Sequence, residues 1–326
     1  MPTVARRVVT HDDAKTFVPL AAHFRALGYE VRHAAEAAGS VDPDQVLAHF
    51  ACFYTTLRHP LRATLRFRAM RLQGIPIITW NRDAPHYLNY RPWRLALLEK
   101  LRPFDLYATH STIDDRRFGK QDFYLSNAAD IDTYSLADSA AAMARLRSPN
   151  GYTFDVSFFG AMDGSRFKEM RARQTFFSEL GPRLAAKGIR FLFREAEGMS
   201  HEQQIEFIQS SRINLNFGAA CDYGAPLASG LPERCYGIPA CGGFLLCDKR
   251  THAHDDFTSG QNWAEFDGLD DCVAKIEFWL ANFSAARDLA ERCHTHVMAN
   301  HTYALRAKLL HERLLAWHAK RRGPKR

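Results

Sequence analysis

Two stretches of the 326-residue chain carry residue types that could hold a phosphorylated ligand. The first is Gly160-Ala161-Met162-Asp163-Gly164-Ser165-Arg166, followed by Arg171 and Arg173. Its glycines let backbone N–H groups approach a phosphate, and a helix opening just after it adds positive potential. The spacing is neither the Gly-x-Gly-x-x-Gly of a dinucleotide site nor the Gly-Lys-Ser/Thr of a P-loop. A glycine-rich turn of this kind is more often a plain connection between strand and helix. The second stretch is Gly224-Ala225-Pro226-Leu227-Ala228-Ser229-Gly230-Leu231-Pro232-Glu233-Arg234-Cys235-Tyr236-Gly237. Pro232 suits a first helical turn, where its missing N–H costs little. Glu233 offers a carboxylate for ribose hydroxyls and Arg234 a cation for phosphate. A surface helix start with a local ion pair is the competing reading of the same residues.

Such residues need a frame, and the chain alternates short β-type runs with helical stretches, the pattern of parallel α/β folding. In the first half strands are expected at Arg7–Thr10, Glu30–His33, Cys52–Thr56, Pro76–Trp80, Leu106–Thr109 and Phe123–Leu125. Helices fit Asp13–Leu27, Pro60–Gln73 and Pro92–Leu101, the first ended by Gly28. An Ala-rich helical stretch over Asp138–Leu146 and the turn Ser148-Pro149-Asn150-Gly151 then mark a boundary. The second half restarts with a strand at Phe154–Phe159, a helix across Phe167–Lys187 and strands at Ile189–Phe193 and Ile213–Phe217. The alternation in that last strand puts Asn214 and Asn216 on one face. A helix at His201–Ser211, a short one at Pro232–Ala240 and a buried strand at Gly243–Cys247 follow, then helices over Asp270–Phe283, Ala285–Ala299 and Tyr303–Lys320. The expected architecture is α/β, with two Rossmann-like domains and a cleft between them. Residues 1–148 would form the first, 149–300 the second, and 301–326 a helix and basic tail returning toward the first. Ligands of such sheets bind at the carboxyl ends of strands near the switch in strand order.

Bulk properties narrow the partners. Hydrophobic content of 46% with 24% charged residues describes a globular chain, not a disordered one. No run approaches the ~18–20 apolar residues of a membrane span, and no apolar leader opens the chain. The seven cysteines, Cys52, Cys221, Cys235, Cys241, Cys247, Cys272 and Cys293, include no Cys-x-x-Cys pair. They read as small buried hydrophobes of a reducing cytoplasm, with no zinc site. The net charge of +7 implies an anionic partner. Residues 45–82 contain no Asp or Glu, while Arg58, Arg62, Arg66, Arg68 and Arg71 cluster beside Leu61, Leu65 and Leu72. A solvated basic face and an anionic membrane surface are the two readings of this cluster. Nucleic acid is disfavoured, because no RNA- or DNA-binding motif accompanies the charge.

The segment Arg234-Cys235-Tyr236-Gly237-Ile238-Pro239-Ala240-Cys241-Gly242-Gly243-Phe244-Leu245-Leu246 resembles the donor-domain motif of CgeB-like glycosyltransferases, within the wider group-1 GT-B transferases. Their pattern is approximately Arg-x-Phe-Glu-x-x-Ala-x-Gly-x-Phe-Leu-Leu. Phe154-Asp155-Val156-Ser157-Phe158-Phe159-Gly160, Arg212-Ile213-Asn214-Leu215-Asn216-Phe217 and His301-Thr302-Tyr303-x-x-Arg306-Ala307 are similar to other segments of that family, in the same order. The resemblance covers roughly 155–310. Trp80-Asn81-Arg82-Asp83-Ala84-Pro85 looks like an acidic turn of its N-terminal half, though Asp83 could equally cap a turn before Pro85.

The resemblance implies a metal-independent transferase that moves a sugar from a nucleotide-sugar donor to a saccharide, glycolipid or other hydroxyl acceptor, with no cofactor beyond its substrate. Gly160, Arg171, Arg173, Asn214, Asn216, Glu233, Arg234 and Tyr236 are then the candidate donor contacts. Helix N-termini and arginines would neutralise the leaving diphosphate. A base from the first domain would take the acceptor proton, with Asp83 first, then His86 and His11. One departure stands out: Gly237 occupies the place of the family's ribose-binding Glu, and Glu233, four residues earlier on the same helix face, could replace it. The first of the family's paired glutamates would fall at Ser229, so the stereochemistry stays open. A sugar-nucleotide epimerase and a non-catalytic GT-B-like binding protein are the rival readings. The expected location is the cytoplasm, free or peripheral on the inner face of a membrane.

Overall fold

The structure is a computed structural model in which residues 7–12, 17–37, 39, 41–83, 92–112, 117–136, 139–165, 170–218 and 229–322 are described. Two compact units emerge. One comprises Met1–Arg82, Asn89–Leu125 and Tyr303–Arg326, the other Asp83–Leu88 and Ser126–Thr302.

The first unit runs β1 (Val8–His11), α1 (Val18–Ala26), β2 (Glu30–His33), α2 (Ala34–Ala37), β3 (Val46–Phe50), α3 (Phe53–Arg58), α4 (Pro60–Leu72), β4 (Ile77–Asn81), α5 (Pro92–Leu101), β5 (Phe104–Thr109) and β6 (Gly119–Tyr124). Its six strands are all parallel, in the order β2-β1-β3-β4-β5-β6. The inner strands β3, β4 and β5 are buried at every residue, as a parallel sheet covered on both faces requires. Phe53, Leu57, Phe67, Leu95 and Leu98 pack from the helices against Ile77 and Phe104 on one face. Phe17 packs tilted and Phe24 edge-on against Phe50, with ring centroids 4.6 and 5.3 Å away.

Residues 52–56 correct the sequence reading. They open a helix, and the strand lies earlier, at Val46–Phe50. The aromatic and β-branched run Cys52–Thr56 has strand propensity. However, Phe53, Thr56 and Leu57 are buried together at helical spacing, and tertiary burial outweighs propensity.

The second unit contains α6 (Ser139–Leu146), β7 (Phe154–Phe159), α7 (Arg171–Ala186), β8 (Phe191–Arg194), α8 (His201–Gln209), β9 (Ser211–Asn216), α9 (Arg234–Ala240), β10 (Leu245–Asp248), α10 (Ala253–Asp256), β11 (Ala264–Phe266), α11 (Gly268–Ala281) and α12 (Phe283–Asn300). Its parallel order is β11-β10-β9-β7-β8. Counted from the first strand of each unit, this repeats the pattern of the first sheet. Both therefore have their switch between the unit's first and third strands, β1/β3 and β7/β9. Phe176 lies flat on Phe217 at 3.8 Å and on Phe266 at 5.7 Å, closing one face of this sheet. A helix across the sequence boundary, α13 (Tyr303–Arg322), belongs to the first unit. It packs on α1, sets Tyr303 edge-on to Trp80 at 5.8 Å, and pairs His311 with the Tyr29 hydroxyl at 2.8 Å.

Residues 126–148, placed on composition in the first domain, group with the second unit. Asn127 Nδ2 donates to the Leu231 carbonyl at 2.7 Å, the Ala129 amide donates to His301 O at 2.8 Å, and the Tyr134 hydroxyl donates to Gln204 Oε1.

The basic cluster of α3 and α4 also resolves into two kinds of arginine. Arg66, still exposed, and the half-buried Arg71 are paired, onto Asp12 and onto Asp105 with Pro103 O respectively. Arg58, Arg62 and Arg68 are exposed. Asp12 also accepts from the Cys52 amide and faces His49 Nε2 at 3.4 Å. Burial alone would raise the Asp12 carboxyl, but His49 and Arg66 override it and hold it well below the usual range. A depressed carboxylate stabilises the fold above its unfolded pKa of about 3.9 and loses that contribution as pH falls through the folded value. Asp12→Asn should therefore cost about 1.5–3 kcal/mol near pH 7, the worth of hydrogen bonds to a charged group. Urea unfolding should show the gap between parent and variant closing progressively below about pH 4. A gap that persists undiminished in acid would contradict this account.

Candidate functional site

The switch point of the second sheet gathers charge. Gly160 directly follows β7, with φ +153°, and a Cβ there would collide with the Arg234 guanidinium. Arg234 opens α9, donates Nη1–H to the Phe159 carbonyl and lies 4.7 Å from the centre of the Phe158 ring. Arg173 reaches the same ring from α7, at 5.1 Å. Its Nε–H goes to Phe217 O at 2.7 Å and its Nη1–H to Ala161 O at 2.8 Å, tying the chain after β9 to the chain after β7. Its Nη2 is sealed from solvent with no partner among the described residues. Arg250, beyond β10, pairs with Asp248 through Nε and Nη2 and with Gly230 O through Nη1.

Asp248 also accepts from Asn216 Nδ2 at 2.7 Å and from the Gly218 amide at 3.0 Å. It neutralises one of the three guanidiniums. Burial first, and then the Arg234 charge, push Arg173 well below the ordinary arginine range, and burial likewise lowers Arg234. Arginine does not give up its proton in a protein. The downward direction therefore reads as surplus positive charge in poor solvent, which a bound anion would relieve.

Beside Arg234 opens a cavity of about 460 Å3 within the second unit, lined by Glu233, Arg234, Gly237, Phe159, Tyr134, His201 and Gln204 among others. The Tyr134 ring stands over Gly237, where a Cβ would sit 3.9 Å from it in ordinary contact. Its hydroxyl donates to Gln204 Oε1, and its ring lies 5.7 Å from that of His201. Burial, and next the nearby Glu233 charge, raise the Tyr134 phenol to about 12, so it stays a hydrogen-bond donor at neutral pH.

Of the donor contacts expected from sequence, Glu233 and Arg234 line this cavity, and Gly160 abuts the Arg234 guanidinium. The others are differently employed. Arg171 is exposed at the start of α7 and bonds Gly164 O at 3.3 Å, so it braces the loop. Arg173 is a buried strut. Asn214 is buried in the sheet, bonded to Ser157 Oγ and to the carbonyls of Ile208 and Phe244. Asn216 is committed to Asp248. Tyr236 is completely buried with its hydroxyl on the Asp256 carboxylate, away from the cavity wall. These side chains satisfy interior polar groups, which burial makes obligatory.

Of the expected bases, Asp83 is half-buried and groups with the second unit, not the first. His11 ends β1 with Nδ1 at 2.8 Å from Asp12 O and its ring stacked on Phe17. His86 lies outside the described residues, as do 219–228 with Cys221 and the tail from Gly323. Sequence reading missed Tyr134, His201, Gln204 and Arg250. Asp248-Lys249-Arg250 directly after a buried strand was the one signal available for the last of these.

The model of the family described as Glycosyl transferase-like matches residues 167–312. No curated protein matches the chain. Solved structures similar to it include sucrose-phosphate synthase (tll1590) from Thermosynechococcus elongatus, at TM-score 0.65 and 10% identity over 95% of this chain and 100% of that one. Another is Anabaena Alr3699/HepE in complex with UDP, at TM-score 0.62 and 13% identity over 95% and 100%. A third is an alpha-glucosyltransferase in complex with UDP and a 13-mer DNA containing a HMU base, at 0.58 and 10% over 95% and 99%. The chain has the fold of the GT-B glycosyltransferases, an α/β architecture of two parallel sheets.

Proposed function

We propose that the protein is a CgeB-like glycosyltransferase that binds a nucleotide-diphosphate sugar in the second unit and transfers the sugar to a hydroxyl of a saccharide or lipid-linked acceptor. The observation that carries this reading is the under-neutralised arginine cluster at the β7/β9 switch, beside an open cavity. In that reading the diphosphate lies against Arg234 and the backbone at Gly160, with Glu233 on the ribose and Tyr134 with His201 along the base. Tyr134 and Glu233 together then take the place left by Gly237. Electrostatic neutralisation of the leaving diphosphate falls to guanidinium groups and N–H dipoles, so no divalent ion is required. For the acceptor proton we keep Asp83 first, then His86 and His11.

UDP and GDP titrated calorimetrically, each with and without EDTA, test the donor half. At least one should bind with an affinity that EDTA leaves unchanged, and donor-sugar hydrolysis should follow the same nucleotide preference. Binding that collapses on chelation would point to a metal-dependent design. Binding with no turnover of any donor would favour the non-catalytic reading.

A membrane-associated acceptor is favoured by one further observation. Leu61, Leu65 and Leu72 are 60, 68 and 82% exposed, at helical spacing along α4 with Arg58, Arg62 and Arg68 beside them. No helix among the described residues is long and apolar enough to cross a membrane, so attachment would be peripheral. Each cation near an anionic surface contributes about 1 kcal/mol. Co-sedimentation with vesicles containing phosphatidylserine should fall with added salt, and fall again in an Arg62→Ala/Arg68→Ala variant and in Leu65→Ser. Equal recovery with neutral and anionic vesicles would leave the stripe a solvated face.

A further inference from the structure

The loop after β7 has the backbone arrangement of an anion site, and the protein fills it with an anion of its own. The Gly160 amide belongs to the sheet, donating to Arg194 O at 3.0 Å, and the Ser165 amide goes to Asp163 Oδ1 at 2.8 Å. Between them, the Met162 and Asp163 amides both donate to Glu195 Oε1, at 2.7 and 2.9 Å. Two successive N–H groups converging on one acceptor form the concavity in which a backbone binds anions.

The sheet puts Glu195 there. Phe159 and Arg194 are register partners at the ends of β7 and β8, so the residue after Arg194 meets the loop that follows Phe159. The Glu195 side chain is exposed, and no packing locks its carboxylate in place. The loop does not rely on it for shape, because Arg173 Nη1 holds Ala161 O and Arg171 Nε holds Gly164 O. Both flanks lead to the donor site: Gly160 abuts the Arg234 guanidinium, and Ala196, next to Glu195, lines the cavity beside Arg234.

The charge fits the same picture. Burial drives Arg173 below the ordinary arginine range, and the Glu195 carboxylate is among the groups that act against that shift. It thus does part of the neutralising that a ligand would do. A terminal phosphate brings more negative charge and more acceptor oxygens to the same two amides. We propose that Glu195 is a placeholder anion, which a phosphate of the donor displaces from the Met162 and Asp163 amides and which returns as the diphosphate leaves. This rests on the donor reading given under Proposed function, and it makes Glu195 a residue that loosens the diphosphate without touching the nucleoside.

Calorimetric titration of the full chain with UDP, GDP, their nucleosides and inorganic pyrophosphate tests it, in the parent, Glu195→Ala, Glu195→Gln and Glu197→Gln. Pyrophosphate and the preferred nucleotide should bind about tenfold more tightly to Glu195→Ala, the low end of what hydrogen bonds to a charged group are worth. Glu195→Gln should gain by a smaller factor, since its amide oxygen still accepts the two N–H groups. Nucleoside affinity should stay at the parent value, and the exposed position should leave the melting temperature near that of the parent. Glu197→Gln removes an equal charge two residues away and should gain far less. Pyrophosphate binding that is unchanged or weaker in both Glu195 variants would overturn the placeholder and leave Glu195 a brace of the loop. Equal gains in Glu197→Gln, or in the nucleoside, would overturn it too, as a long-range or general effect. Tighter pyrophosphate in the Glu195 variants with no nucleotide bound by any of the four chains would uphold the placeholder and count against the nucleotide donor alone.

Discussion

Arg234→Ala is expected to weaken UDP binding by about 10–150-fold, the range that 1.5–3 kcal/mol for a hydrogen bond to a charged group represents. The size follows from where the guanidinium sits. It lines the cavity, abuts Gly160 and spends one N–H on Phe159 O, while its Nε and Nη2 have no partner among the described residues. It also shares the Phe158 ring with a second guanidinium, so part of its charge is unneutralised until an anion arrives. Arg234→Lys keeps the charge but loses the planar fork, and should fall between parent and alanine. Glu233→Gln should affect uridine and UDP alike and by less, since it removes a charge aimed at hydroxyls. Isothermal titration with circular dichroism as a fold control reads all three. Parent-like UDP affinity in a folded Arg234→Ala would reduce the α9 motif to a structural element.

Arg173→Met should act on the fold. The guanidinium holds the carbonyls of the half-buried Ala161 and Phe217, and its loss leaves two part-buried acceptors unpaired at about 1–3 kcal/mol each. Relief of its repulsion with Arg234 offsets part of that cost, and methionine refills much of the volume. The net expectation is a loss of about 2–4 kcal/mol in denaturant unfolding. Nucleotide affinity should drop as well, because the loop that carries Gly160 loses its anchor. A variant as stable as the parent would show that water or neighbouring donors replace those bonds at no cost.

The two variants together illustrate what was legible in sequence. The alternation of strands and helices in the second half, the helix start at Glu233-Arg234 and the glycine after Phe159 could all be read from local chemistry. Local signals of this kind survive folding: a proline near a first turn, a glycine whose Cβ would clash, a run of buried apolar residues. The direction in which a polar side chain points does not survive in the same way. Asn214, Asn216, Arg173 and Tyr236 carry ligand-like chemistry, yet each is spent on an interior carbonyl, carboxylate or amide. Tyr134 failed in the opposite sense. It lies in a stretch, Asn127–Tyr134, without periodicity, and reaches the cavity through a tertiary route that no spacing encodes. The α4 arginines needed the same knowledge, since Asp12 and Asp105, which claim Arg66 and Arg71, lie 54 and 34 residues away.

The placement of α13 bears on the order in which the chain can be completed. Residues 126–302 are continuous apart from a short contribution near Asp83, whereas the first unit receives its last helix only after all of them have been synthesised. Until Tyr303–Arg322 leaves the ribosome, the flank of α1 that α13 covers, Trp80 beside Tyr303 and the Leu47 carbonyl bonded by His318 all lack their partners. Domains usually fold as units from the N-terminus during translation. Here the first unit depends on a helix that follows the second unit in the chain, so the second unit can close while the first still exposes apolar surface. Truncations before Tyr303 should therefore spare the second sheet and leave the first prone to aggregate.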